Sequence, residues 1–438
     1  MGDERENLIR KSNKAIDRSI SNAGDELCSF RSCLKWMCVD QSSIWRACLS
    51  WSLFLLLSII VPLLSHFVLA CSTCDARHSR PYDSVVQLSL TVVTTLSFFC
   101  LSRIVRRYGL RRFLFLDKLC EESEKVGQGY TEQLNRSWKL LLVFVLPCFA
   151  AESAYKIWWY SSGASGIPFL GNEVVSDVVA CILELCSWLY RTSIFFLVCV
   201  LFRLLCSLQI LRLHDFAEVF QMESEVASVL KEHLRIRRHL RIISHRYRAF
   251  ILFALGIITA SQFASLLMTT RSSAVVNFFT VGELVLCSIT LVTGLLICLR
   301  CATKITHKAQ SVTSLAAKWH VCATIDAFDG TDSETPVVVD QPIQRPHVLE
   351  FPINANGEWE DDETADGDDD LDNTNIILPI YARTISFQKR QALVTYFENN
   401  RAGITVYGFM LDRSTLNIIF GVEMSLILWL LGKTIGIS

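Results

Sequence analysis

The chain has 438 residues, 51% of them hydrophobic, with 42 basic against 43 acidic residues and a mean hydropathy of +0.35. That balance argues against a nucleic-acid partner held by bulk positive charge. Its apolar residues instead fall in runs of about 20, the length that crosses a hydrocarbon core of about 30 Å. The 17 cysteines follow no disulfide or zinc spacing, and no nucleophile–base arrangement or glycine-rich phosphate loop is visible, so neither an enzyme, a cofactor nor a metal site is expected.

Residues 1–48 are a polar arm without a signal-peptide pattern, so the first apolar run reads as an uncleaved anchor. Glu6 stands where myristoylation after Gly2 needs Ser or Thr. Cys28, Cys33, Cys38 and Cys48 precede the first span and read as reduced thiols, with palmitoylation as the alternative. Six spans are predicted within 49–299, at 51–70, 85–105, 140–159, 178–208, 250–270 and 275–299. Cys71 and Cys74 fall in the loop after the first span, where a pairing is open.

Two spans continue as amphipathic helices. After the fourth, Leu213, Phe216, Phe220, Val226, Leu230 and Leu234 recur at three- and four-residue spacing among charges. After the sixth, over 300–328, Ala302, Ile305, Ala309, Val312, Ala316 and Trp319 do the same. The basic stretch 232–249 leads straight into the fifth span and reads either as part of a helical cytosolic domain or as a membrane-surface helix. Residues 329–376 form an acidic linker, with Glu358 to Glu363 and Asp366 to Asp372 too polar to offset the entropy of ordering. A calcium loop would need ordered spacing that this run lacks. Within 377–438, an amphipathic helix is predicted over 386–400 and a seventh span over 415–437.

Basic residues cluster in alternate connections. Arg5, Arg10, Lys11, Lys14, Arg18, Arg31, Lys35 and Arg46 precede the first span, and Arg106, Arg107, Arg111, Arg112, Lys118, Lys125, Arg136 and Lys139 separate the second from the third. Arg212, Lys231, Arg235, Arg237, Arg238, Arg241, Arg246 and Arg248 separate the fourth from the fifth, whereas the opposite loops hold only Arg77, Arg80 and Arg271. The positive-inside rule therefore predicts a cytosolic amino terminus and an extracellular carboxyl terminus. The sequon at Asn135 falls in a connection placed in the cytosol.

Ionisable groups at membrane depth cost about 2.5–3.5 kcal/mol each on the insertion scale and mark functional positions. Glu152 and Lys156 in the third span, Glu184 and Arg191 in the fourth, and Glu283 in the sixth fall in this class, with Gln262 in the fifth at similar depth. Glu152 and Lys156 are four residues apart and suit an ion pair on one face. With Trp159 and Trp188 as aromatic walls, these residues are the candidate ligand pocket. Internal pairing that only fixes helix register is the alternative. Glu423, on the seventh span, is expected to contact neighbouring helices.

The isolated seventh span, the extended helices and the stretch Gly403-Ile404-Thr405-Val406-Tyr407-Gly408-Phe409-Met410-Leu411-Asp412, followed by Ile418-Ile419-Phe420-Gly421, give the chain a family likeness. It resembles the plant gustatory-receptor-like membrane proteins of unknown function, distant relatives of the insect gustatory and odorant receptors. That resemblance implies a tetrameric cation channel with the seventh helix lining the pore and a small-molecule ligand held in the outer halves of the other spans. The insect signature of Thr-Tyr, five apolar residues and Gln-Phe is replaced here by Ser425-Leu426, residues 427–431 and Gly432-Lys433. On that alignment Ser425, Trp429, Gly432 and Gly436 share one helical face, the candidate pore face. Indoles at Trp429 would close a pore more fully than small apolar side chains; packing within the bundle is the other reading.

The expectation is thus an all-α seven-span protein, N-terminus in and C-terminus out, with cytosolic extensions of spans four to seven. It would lie in the plasma membrane or an endomembrane as a homo-oligomer, a tetramer by the resemblance. The expected function is a ligand-gated cation channel; a non-conducting receptor or scaffold and a small-molecule transporter are the alternatives.

Overall fold

The computed structural model describes residues 44–68, 82–108, 124–161, 172–222, 226–270, 278–329 and 387–435. The arm before residue 44, the Cys71–Cys74 pairing, the acidic linker beyond residue 329 and Gly436 lie outside the described residues. The described chain is almost entirely helical, and seven of its helices are long and apolar enough to cross a membrane. The chain is a multi-pass membrane protein.

The first span joins α1 (Ile44–Leu55) through a π-helical turn (Leu56–Ile60) to α2 (Val61–Val68). The remaining spans lie in α3 (Asp83–Tyr108), α4 (Glu124–Ser161), α5 (Glu173–Met222), α6 (Val226–Thr270), α7 (Phe278–Asp329) and α9 (Arg413–Ile435). A short helix α8 (Phe387–Asn399) and a hairpin of β1 (Thr405–Val406) and β2 (Phe409–Met410) precede α9. At 50, 45 and 52 residues, α5, α6 and α7 far exceed a membrane crossing, as their amphipathic stripes predict. So does α4, with 38 residues. Its first sixteen were read as a connection, because the segment from Glu124 to Lys139 carries two glycines and little apolar periodicity. The sequon at Asn135 therefore sits on a helix and not in a loop.

The π turn has a cause in the sequence. Pro62 has no N–H, so the carbonyls four and five residues back, Ser58 and Leu57, lose the donor that would close either kind of helical ring. Both find donors elsewhere: Thr91 Oγ1 on α3 donates to Ser58 O at 3.1 Å, and Ser187 Oγ on α5 donates to Leu57 O at 2.5 Å. The break in the first span thereby becomes its attachment to two neighbours.

By contacts the chain forms two compact units. The first comprises Met1–Leu208, Ile243–Thr303 and Thr405–Ser438. Its centre is α5: 78% of the most apolar stretch of that span is buried inside the protein, against 17% for the seventh span. Phe54 stacks on Phe98 with ring centroids 4.2 Å apart, Trp51 meets Phe98 edge-on, and Ile194 closes this cluster. Between α5 and α7 the Phe195 ring packs directly onto Gly294, where a Cβ would fall 2.3 Å from it. Exposed Leu88, Phe99, Val143 and Leu267 are the outward apolar surface a bilayer requires.

The second unit comprises Gln209–Ile242 and Lys304–Ile404. Arg390, Leu393 and Phe397 are the buried residues of α8. The His233 ring lies 4.6 Å from that of Phe397, and Arg237 Nη1 donates to Asn400 Oδ1 at 2.6 Å. Arg212 meets His239 Nδ1 at 3.1 Å, and Ile404 N–H donates to Thr306 Oγ1 at 3.0 Å.

Candidate functional site

Within the first unit, four of the charged residues singled out in the sequence converge. Lys156 Nζ on α4 lies 3.0 Å from Glu283 Oε1 on α7, 3.1 Å from Glu184 Oε2 on α5 and 3.8 Å from Glu152 Oε1 one turn back on its own helix. All four side chains are buried. A fifth partner was missed: Ser65 on α2 donates its hydroxyl to Glu184 Oε1. A serine in an apolar run gives little warning of such a role, although Ser50 and Ser58 on the same span are buried too. The cluster ties together four spans, the first, third, fourth and sixth.

The sequence spacing suggested Glu152 as the natural partner of Lys156. The structure makes it the most distant of the three, because the ammonium leans toward the two carboxylates that face it from other helices. Three carboxyl groups thus share one ammonium. The Lys156 ammonium also occupies the centre that a cation bound by these carboxylates would take. Among the described residues no group of His, Cys, Asp and Glu has an arrangement suited to a metal ion.

Arg191 is buried on α5, but its bonds go elsewhere. Its Nη1 donates to Thr91 Oγ1 and its Nε to Ser187 O, each at 3.4 Å, while Thr94 Oγ1 donates to the Arg191 carbonyl at 3.2 Å. The Thr91 hydroxyl also serves Ser58 O, and Ser187, whose backbone carbonyl takes the arginine Nε, serves Leu57 O with its hydroxyl, so the arginine and the π turn share one polar seam. Trp159 is buried against Tyr160, ring centroids 4.9 Å apart, with Cys181 alongside. Trp188 lies 6.2 Å from the Phe149 ring. Gln262 is 2% exposed, and neither amide atom has a hydrogen-bond partner among the described residues. The eight residues of the candidate pocket thus divide into a charged knot of four, an arginine in an adjoining polar seam, two aromatic packers and one buried amide.

Near the ends of α2 and α3, His66 Nδ1 lies 3.7 Å from Asp83 Oδ2, and Asp83 also accepts from Gln87 Nε2 at 3.0 Å. These two residues were not singled out in the sequence.

On α9 the buried line is Glu423, Ile427 and Leu430, at helical spacing. Glu423 Oε1 accepts from Thr259 Oγ1 on α6 at 2.5 Å, a polar tie between the fifth and seventh spans. Ser425 is exposed, and its hydroxyl donates back to Gly421 O at 2.6 Å. Trp429 and Gly432 are half-buried. A Cβ on Gly421 would meet nothing within 4 Å. Asp412 caps the helix: its Oδ1 accepts from Thr415 N at 2.9 Å and from Thr415 Oγ1 at 2.7 Å. These two donors hold the Asp412 carboxyl below the usual carboxylate range.

Comparison with curated proteins finds no match to this chain. A protein-family model described as "Protein of unknown function (DUF3537)" matches residues 25–422, a stretch that holds the charged knot and the hairpin. The chain belongs to the DUF3537 family.

Proposed function

We propose that this chain is one subunit of an oligomeric, ligand-responsive cation channel of the gustatory-receptor-like kind, with copies of α9 surrounding the conduction path. The observation that carries the reading is the partition of α9: Glu423, Ile427 and Leu430 hold it to its own subunit, and the side bearing Gly421 and Ser425 is open. Small side chains on an open helix face let sister helices approach closely in a membrane. In this scheme the amino terminus is cytosolic, the carboxyl terminus is outside, and the assembly is a tetramer. A small polar or aromatic ligand acts at the Glu152–Lys156–Glu184–Glu283 knot and shifts the helices it ties together.

Trp429 favours a second reading, a non-conducting membrane receptor. It is half-buried one turn beyond Ser425, where an indole from each copy would block the axis. One experiment separates the two. The purified protein in a planar bilayer should pass cation current, and Trp429→Ala should pass more. No current from either protein, with a monomer by native mass measurement, removes the channel.

A further inference from the structure

The hairpin before α9 is a rigid projection. Tyr407 and Gly408 have φ of 48° and 94°, and their strands pair Thr405 with Met410 and Val406 with Phe409. Two consecutive left-handed residues make the tight turn whose twist suits a hairpin, and glycine takes the more extreme of the two without strain. The base is tied down: Val406 is buried, and Thr405 N–H donates to Ser244 Oγ at 3.1 Å. The tip is not. Tyr407 is 52% exposed and Phe409 81%, among the most exposed large apolar side chains described.

Two spans fix the depth of this tip. Met410 is three residues before Arg413, the first residue of α9, which places it within roughly 10 Å of the start of that span. Arg248 stands two residues before the apolar run of the fifth span, and its guanidinium lies 4.9 Å from the Tyr407 ring centroid. The tip therefore lies where both spans enter the hydrocarbon, in the headgroup layer. Two arginines flank it, Arg248 in space and Arg413 in sequence. Arg248 Nη2 contacts His245 Nε2 at 3.3 Å, Arg413 is exposed, and the acid of this stretch, Asp412, is occupied as the cap of α9.

We propose that the hairpin tip, with Arg248 and Arg413, is a binding site for the headgroup of an anionic phospholipid. Phe409 enters the boundary between headgroups and acyl chains, as aromatic residues do at membrane interfaces. Arg248 keeps one guanidinium face on Tyr407 and turns its remaining N–H groups to the phosphate, the geometry for which arginine is suited. This site stands whether or not the protein conducts.

The test is native mass spectrometry of the full chain in detergent, titrated separately with phosphatidylglycerol and with phosphatidylcholine of the same acyl chains. Wild type should hold the anionic lipid more tightly. Arg248→Gln should weaken the first-bound phosphatidylglycerol about fivefold, the worth of one basic residue near an anionic surface, and leave phosphatidylcholine unchanged. Phe409→Ser should weaken both lipids alike, and Phe409→Trp should restore them. Arg413→Gln serves as an independent charge variant should Arg248→Gln unfold at a lower temperature. Equal affinity of wild type for the two lipids, or arginine variants that keep the full preference, overturns the proposal. So does displacement of phosphatidylglycerol by soluble glycerol phosphate, which would make the site one for a free anion. A Phe409→Ser variant that changes subunit number but not lipid binding overturns it too, by making the tip a contact between copies.

Discussion

Replacing Lys156 with Met tests the charged knot most directly. The two side chains are of similar length, so the change removes an ammonium and little volume. It leaves Glu184 and Glu283, which sat 3.1 and 3.0 Å from that ammonium, facing each other with no cation between them. At an effective dielectric of about 20, each short contact is worth about 5 kcal/mol of Coulomb energy. Most of that offsets the cost of taking the charges out of water, so the pairs themselves add little net stability. Removing one partner, however, strands the others, and that typically costs about 3–5 kcal/mol. Thermal unfolding in detergent should show Lys156→Met well below wild type. A triple change that adds Glu184→Gln and Glu283→Gln should recover most of the loss, because the one carboxylate left, Glu152, is the one that lay farthest from the ammonium. Glu152→Gln alone, at the 3.8 Å contact, should be the mildest of the single changes. A Lys156→Met protein that unfolds with wild type, or a triple change no better than the single one, would refute the idea that the carboxylates depend on this lysine.

Gly294→Ala places a methyl group 2.3 Å from the Phe195 ring and should destabilise by about 1–3 kcal/mol through overpacking. Gly256→Ala, where the new atom meets nothing within 4 Å, is the control, both read by thermal unfolding. Asp412→Ala should let the first turn of α9 fray, seen as faster amide exchange at Thr415. Because the Asp412 carboxyl is held below its ordinary value, its capping contribution is present above the ordinary carboxylate range and is lost as pH falls through the depressed folded value. Wild-type exchange at Thr415 should therefore rise toward that of the variant in acid, and a difference that persists at the lowest pH would count against the cap. Ser65→Ala removes the donor to Glu184 and should cost about 1.5–3 kcal/mol, the worth of a hydrogen bond to a charged group.

The spans were legible because a membrane imposes length and apolarity on each one independently of its neighbours. The helical continuations of α5 and α7 were legible for a related reason, since an apolar stripe needs a partner wherever it lies. The early half of α4 carries no such stripe and was read as a connection. The members of the charged knot were visible one by one, because an ionisable group in an apolar run is conspicuous. Their pairing was legible only in part. Spacing along one helix suggested Glu152 with Lys156, a pair the structure holds at 3.8 Å, but it gave no sign of the shorter contacts that cross from α4 to α5 and α7. Arg191 stands on the same span as Glu184, but its bonds reach Thr91 and the Ser187 carbonyl. Hydroxyls such as Ser65, Thr91 and Ser187 are too common in spans to signal which carbonyl or carboxylate they serve.

Pro62 carries a consequence for how the first span could be tuned. Exchanged for alanine, the backbone there would gain a donor and become a better helix in isolation. The carbonyls of Leu57 and Ser58 would then turn inward to meet it, and Ser187 and Thr91 would lose their acceptors. A change that makes one rod straighter would thus unfasten it from two others, trading local order for a looser joint between subunit parts.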